Sequence, residues 1–302
     1  MSNKDIFNLK KIKHSRKIDT LESSKLYISH INKFISQDRF QNYLSFFEKK
    51  INIPKSVLSQ YIKSTIAGRI NYHTKSRSFS RTSFLSLFIE IPKFIIFVTL
   101  IFFNKKKNNS NIKSKFFYEL MIDDTEIRYD LIRFQKLINL YGEEKVIVIN
   151  PTKNIFSLGN VRIEKKLSLS NYELKFQDLI LILKFFCHSI KYSFIFSENL
   201  LSYTTSILNS NYYYNSIFSD LMAKNCIIFR HYHTNAIKNY LFKKHGGINS
   251  CTVQKNIHPL GLNSSFYDAD IFFSLSKESA QRPVQFGGNF RKIIPCGSLF
   301  ME

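Results

Sequence analysis

The chain has 302 residues, of which 44% are hydrophobic and 30 are Phe. That length admits one large domain or two small ones, and the apolar content excludes a disordered chain. The formal net charge of +22 calls for a cause, codon bias or an anionic partner.

Bias accounts for part of it. Only 11 of the 44 basic residues are Arg, in a chain heavy in Lys, Asn, Ile, Phe and Tyr and without Trp. Placement is a different matter. Residues 1–110 hold 21 Lys and Arg against 6 Asp and Glu, whereas the remainder holds 23 against 16. A basic N-terminal third points to an anionic partner, a membrane surface ahead of nucleic acid. Nucleic acid is not expected. Its readers favour the forked guanidinium of Arg, and no aromatic-and-basic recognition motif accompanies this charge.

Residues 1–75 are polar and basic, with Leu26, Ile28, Ile31, Phe34 and Ile35 approximating a helical stripe. Pro54 marks a helix start, because proline suits a first turn and Ile53 before it is held extended. Residues 84–103 form the most apolar window. Its 20 residues match the length of a spanning helix, but Glu90, Pro92 and Lys93 interrupt it. A charge at mid-membrane costs about 2.5–3.5 kcal/mol. Arg77 and Arg81 precede the window and Lys105, Lys106 and Lys107 follow it, so positive charge flanks both ends. That favours a helix lying in the plane of a cytoplasmic leaflet, with a buried core helix and a true span as the alternatives.

Lys105 to Lys113 reads as a polar linker. Beyond it, Phe116 to Ile122 reads as a strand ending at Asp123 and Asp124, Glu126 to Tyr141 as a helix stopped by Gly142, and Val146 to Ile149 as a buried strand. Asp123 and Asp124 suggest solvated caps of the next helix before metal–diphosphate chemistry. Residues 174–196 are strongly apolar, a buried helix or a second membrane-facing surface. Residues 199–224 read as two helices joined near Ser210 and Asn211.

The stretch 226–298 carries the most information. A β-prone run through His231 and His233 leads to a helix capped at Thr234 or Asn235 and closed by Gly246 and Gly247. Two further apolar runs follow, Ile248 to Gln254 and Asp270 to Ser274, and then Ile293 to Ser298. Asp268 and Asp270 read as turn or cap residues, and Ser276 as the cap of a helix starting at Lys277. This order predicts an α/β fold with a Rossmann-like parallel sheet. Such sheets place chemistry at their carboxyl edge, where His231, His233, Gln254, His258 and Ser274 fall. Histidine suits a general base because its ordinary pKa is near 6.5. Arg230 and the histidines read either as ligands of an anion or sugar, or as ordinary loop residues.

No zinc spacing is present, so no metal is expected. No Walker loop, G-x-G-x-x-G or nucleophile elbow is found, so no cofactor is expected in this chain. Cys187, Cys226, Cys251 and Cys296 form no C-x-x-C pair and read as reduced, mostly buried cytosolic thiols. The polar start Met1 to Asp5 shows no secretory h-region.

The segments Ile227 to His233, Lys243 to Gly247, Ser250 to Gln254, Tyr267 to Phe273 and Ile293 to Ser298 together resemble the N-terminal half of a GT-B-type glycosyltransferase of the bacterial surface-carbohydrate group. The chain reads Gln254-Lys255-Asn256 where such proteins often show Gln-His-Gly. The resemblance implies an acceptor-side domain, with a nucleotide sugar as donor and a glycan or lipid-linked acceptor. His231 or His233 would be the base, and Arg230, Gln254, His258 and Ser274 would shape the cleft. It also implies a donor-binding domain, which this sequence lacks. The expectation is therefore a truncated chain, a separate polypeptide supplying that half, or lost catalysis. The expected organisation is a basic, helical, membrane-associating region at 1–110 and a Rossmann-like domain at 111–302. The expected location is the inner face of the cell membrane, peripherally attached. The rival reading is a non-catalytic half-enzyme that binds a membrane surface or a partner.

Overall fold

The computed structural model describes residues 21–75, 86–103, 116–123, 135–149, 161–164, 176–228, 234–254 and 265–297. Seven strands form one sheet: β1 (Phe116–Asp123), β2 (Val146–Ile149), β3 (Arg162–Glu164), β4 (Leu221–Ile228), β5 (Asn249–Val253), β6 (Asp268–Ser274) and β7 (Asn289–Pro295). The spatial order is β3-β2-β1-β4-β5-β6-β7, and every pairing is parallel. This is the Rossmann-like arrangement the sequence predicts, with the strand order reversing between β1 and β4.

An all-parallel sheet must be covered on both faces. Leu120, Ile122, Val146, Val148 and Ile227 point to one face, where Ile138 of α5 (135–141) packs on them. Gly142 then stops α5 as expected, its φ of 89° lying in the left-handed region that favours glycine. Met121, Ile147, Ile149 and Cys226 point to the other face and join a much larger core.

That core is built mostly from helices α1 (Leu21–Ile35), α2 (Asp38–Ile51), α3 (Lys55–Lys75), α4 (Leu87–Phe103), α6 (Phe176–Phe196), α7 (Leu201–Asp220) and α8 (Ala236–Lys244). The last helix, α9 (Lys277–Gln285), connects β6 to β7. Ile28, Ile31, Phe34 and Ile35 bury the predicted stripe of α1, but Leu26 faces water. Pro54 does precede a helix, its carbonyl accepting from the Leu58 N–H at 3.1 Å.

The basic N-terminal helices and the sheet share one continuous core. Rings of Phe34, Phe40, Tyr43, Phe47, Phe185 and Phe196 interlock with centroid spacings between 4.7 and 5.8 Å. The Tyr43 hydroxyl shares a 2.8 Å hydrogen bond with Thr204 and lies 3.3 Å from the Leu200 carbonyl. Gln60 of α3 donates to the carbonyls of Tyr267 and Gly287 at 3.2 and 2.9 Å, fastening the helical layer to the β6–β7 side.

Three expectations change. Residues 201–220 are one helix, not two. Ser210 accepts from Asn235 and shares a hydroxyl–hydroxyl bond with Tyr61, and Asn211 accepts from Asn215, so their side chains find partners without breaking the helix. Residues 221–224, read as helical, instead open β4. Asp268 and Asp270 lie inside β6. Asp270 accepts from the Ser250 N–H and hydroxyl, each at 2.9 Å, and pairs with Lys243. Burial alone would raise its carboxyl pKa, but these donors outweigh it and hold it below the usual range. Cys226 is buried, Cys251 half-buried, and Cys187 and Cys296 exposed.

The α6–α7 turn carries Glu198, whose backbone N–H caps the Ser193 carbonyl. Burial pushes its carboxyl up to about 9.

Two measurements follow from this packing. Tyr43→Phe should lower unfolding free energy by about 1–2 kcal/mol, read by urea denaturation, because it removes one of the two hydroxyls, with Ser189, that bond the buried Thr204 side chain. Glu198 binds its proton more tightly folded than unfolded. Its contribution is therefore full below the ordinary glutamate range and is lost as pH rises toward 9. Glu198→Gln should flatten that part of the stability–pH curve, and an unchanged slope would contradict the burial.

Candidate functional site

The reversal point between β1 and β4 is where a sheet of this order opens a crevice at its carboxyl edge. Asp123 is the last residue of β1 and pairs in register with Ile149 of β2. Across the crevice, β4 ends at Ile228 and the chain returns through α8. Asn235 caps that helix, its side-chain oxygen accepting the Lys238 N–H at 3.0 Å. Helical side chains lean toward their own N-terminus. Lys238 therefore reaches back to the sheet edge, and its ammonium donates to Asp123 Oδ2 at 2.9 Å.

Both members are withdrawn from water, with side-chain exposures of 3% for Lys238 and 6% for Asp123. Burial by itself would pull the lysine pKa down. The adjacent Asp123 carboxylate outweighs it, with a smaller contribution from Cys226, and drives the pKa well above its ordinary value. Lys238 is thus a fixed cation and not a base. The same burial raises the Cys226 thiol to about 11 and the Cys251 thiol to about 12, despite the nearby ammonium. Neither is a thiolate nucleophile at neutral pH. Tyr214 of α7 is held protonated by burial and by the Asp123 charge.

Gln254 and Ser274 stand on this same carboxyl edge, one residue past β5 and at the end of β6. Both are buried and both make internal bonds. Gln254 Oε1 accepts from the Leu275 N–H at 3.0 Å and from the Ser279 hydroxyl at 2.8 Å. The Ser274 hydroxyl donates to the Ser276 carbonyl at 2.9 Å. Ser276 caps α9 as predicted, in a reciprocal capping box with Ser279. These bonds hold the first turn of α9 against the ends of β5 and β6.

Arg230, His231, His233 and His258 lie outside the described residues, as does Asp124. In the chain, the first three fall in the connection from Ile228 to Thr234, between the end of β4 and the cap of α8. Among the described residues, no three His, Cys, Asp or Glu side chains converge as a metal-ion site.

Asp123 was expected as a solvated cap and is instead half of a buried ion pair. The sequence alone does not distinguish Lys238. In Ala236–Lys244 it is one of three lysines in a short helix, and nothing in the local pattern separates it from the exposed Lys243 and Lys244. Its signal is tertiary, a carboxylate 115 residues earlier.

No family model, curated protein or solved structure matches this chain.

Removing one member of the pair strands the other charge in the interior. Lys238→Met alone should cost about 3–5 kcal/mol of stability, measured by denaturant titration. Combining it with Asp123→Leu should restore most of that loss. Additive destabilisation in the double variant would show that the two groups do not act together.

Proposed function

We propose that this chain is the acceptor-side half of a glycosyltransferase of surface-polysaccharide synthesis, working at the cytoplasmic face of a membrane. One observation carries the reading. A parallel sheet in the order β3-β2-β1-β4-β5-β6-β7 brings a charged pair to its reversal point, with Gln254 and Ser274 on the same edge. A polar acceptor such as a glycan or a lipid-linked sugar suits a crevice of that kind.

In this reading His231 or His233 takes the proton of the acceptor hydroxyl as its oxygen bonds to the anomeric carbon, and the nucleoside diphosphate leaves with the bonding electrons. Arg230, Gln254, His258 and Ser274 orient the acceptor. The nucleotide sugar is held by a complementary donor-binding domain. The Asp123–Lys238 pair fixes the start of α8 against the end of β1.

A second reading has its own support. The Gln254 side-chain oxygen, the Ser274 hydroxyl and the Lys238 ammonium are engaged in internal bonds. That favours a non-catalytic half-enzyme whose edge binds a partner.

The test is transfer of label from uridine- and guanosine-diphosphate sugars to a bacterial membrane-lipid extract by the purified chain together with a separately supplied donor-binding domain. Transferase function predicts a labelled lipid product, reduced about 100-fold or more by His231→Ala with His233→Ala. Equal transfer by that variant would remove both histidines from the mechanism. Absence of product with every donor, alongside retained binding to the acceptor extract, would favour the non-catalytic reading.

A further inference from the structure

The apolar segment 84–103 and the apolar segment 174–196 end up as neighbours. The second segment forms helix α6, with one buried face and one bare face. In α4, Leu87, Phe94 and Phe97 are buried. On its other side Phe88, Ile89, Ile95, Ile96 and Leu100 stand exposed, with Phe88 at 68%. In α6, Ile182, Phe185 and Phe196 are buried, while Ile180, Leu183, Phe194 and Ile195 are exposed, Leu183 at 62% and Phe194 at 64%. Each outer row follows the helical repeat, interrupted by Pro92 and Lys93 in α4 and by Lys184, Cys187 and Lys191 in α6.

Two contacts fix the relation of the helices. Asn199, just past α6, donates to Ser86 Oγ, just before α4, at 2.7 Å. Farther along, the rings of Phe94 and Phe186 lie 5.3 Å apart. The two helices therefore run antiparallel and meet at these two points, while α4 packs mainly on α7. Of the two, α6 is long and apolar enough to cross a membrane by length and composition alone. Its inner face is nevertheless committed to α2 and α7, through His188 stacked on Phe46 at 4.1 Å and through Ser189 bonded to Thr204.

The charges on this surface have one sign. Among the described residues, the exposed charged positions of α4 and α6 are Lys93, Lys184 and Lys191, and the carboxylates Glu90 and Asp178 are half-buried. Glu90 is partly buried and pairs with Lys93 at 3.7 Å. Glu198, at the tip, is held neutral at physiological pH by burial. In sequence the stripe of α4 is flanked by Arg77 and Arg81 on one side and by Lys105, Lys106 and Lys107 on the other. Exposed apolar rows edged by lysines, with the ammonium groups free to reach headgroups, are the pattern of helices lying in a lipid interface.

We propose that the paired outer faces of α4 and α6 dock on an anionic lipid leaflet, with Phe88, Ile95, Leu183 and Phe194 entering the acyl boundary. The surface also orients the candidate site. Ser210 of α7 accepts from Asn235, the cap of α8 at the carboxyl edge, and Phe218 meets Phe242 farther down. The two helices run the same way, so the nine residues of α7 before Ser210 rise past the edge by about 13 Å. The α6–α7 turn, Phe194 and Phe88 sit at that raised end. A leaflet held there lies beside the crevice mouth, where a lipid-linked acceptor presents its sugar. This orientation rests on the transferase reading; the docking itself does not.

The experiment is flotation of the full chain with vesicles of phosphatidylcholine alone and of phosphatidylcholine mixed with phosphatidylglycerol. Binding to the mixed vesicles should fall about tenfold or more for Phe88→Ser with Ile95→Ser, and again for Leu183→Ser with Phe194→Ser. Lys184→Glu with Lys191→Glu should abolish the preference for phosphatidylglycerol. Leu140→Ser, an equally exposed leucine on α5, should change nothing. All four variants alter exposed positions, and circular dichroism checks that each folds. No binding by the wild-type chain, or binding by both serine pairs equal to that of the wild type, would overturn the proposal. So would a dimer in solution that these serine substitutions dissolve without any vesicle binding, since a second copy would then be the occupant. Vesicle binding without sugar transfer would leave the docking surface standing and remove the transferase reading. Transfer to a soluble acceptor without vesicle binding would do the reverse.

Discussion

The ammonium of Lys238 and the carboxylate of Asp123 must be buried together or not at all. Each alone would carry an uncompensated charge into a medium that penalises it by several kcal/mol. Their contact fixes the start of α8 against the end of β1, across the point where the strand order reverses. Asn235 assists by capping the helix on the backbone of the same lysine, so one residue supplies both the cap donor and the buried cation.

A second constraint comes from the sheet. Parallel strands expose two apolar faces and need helices on each. On the face that receives Met121, Ile147 and Cys226, the cover is a deep layer of α1 to α4 and α6 to α8, and its inner contacts are largely aromatic. The basic N-terminal helices are thus part of the protein's core structure and do not stand apart as an appendage. What this layer leaves uncovered is the outer side of α4 and α6, and there the apolar rows meet lysines.

Much of the fold was legible because its signals are local. The strand at 116–122, Gly142 as a helix stop, the Val146–Ile149 strand, the Asn235 and Ser276 caps and the Gly246–Gly247 closure each depend on residues a few positions apart. Where reading failed, a distant partner decided. Ser210 and Asn211 look like a break, yet Tyr61, Asn235 and Asn215 absorb their polar atoms and the helix continues. Residues 162–164 form a three-residue edge strand with no alternation to detect. Asp270 looks like a turn residue until Lys243 and Ser250 are found around it. At the candidate site the edge itself was foreseeable, because chemistry gathers at carboxyl ends. The ion pair was not, since nothing near Lys238 distinguishes it from its neighbours in the same helix.

Lysine footprinting with an amine-acylating reagent on the folded chain, read residue by residue by mass spectrometry, addresses the buried pair most directly. The account predicts that Lys243 and Lys244 are modified rapidly while Lys238 stays protected until the protein unfolds. Modification of Lys238 at the rate of Lys244 in folded protein would mean that the ammonium is in water, and the crevice described between β1 and β4 would not exist in that form.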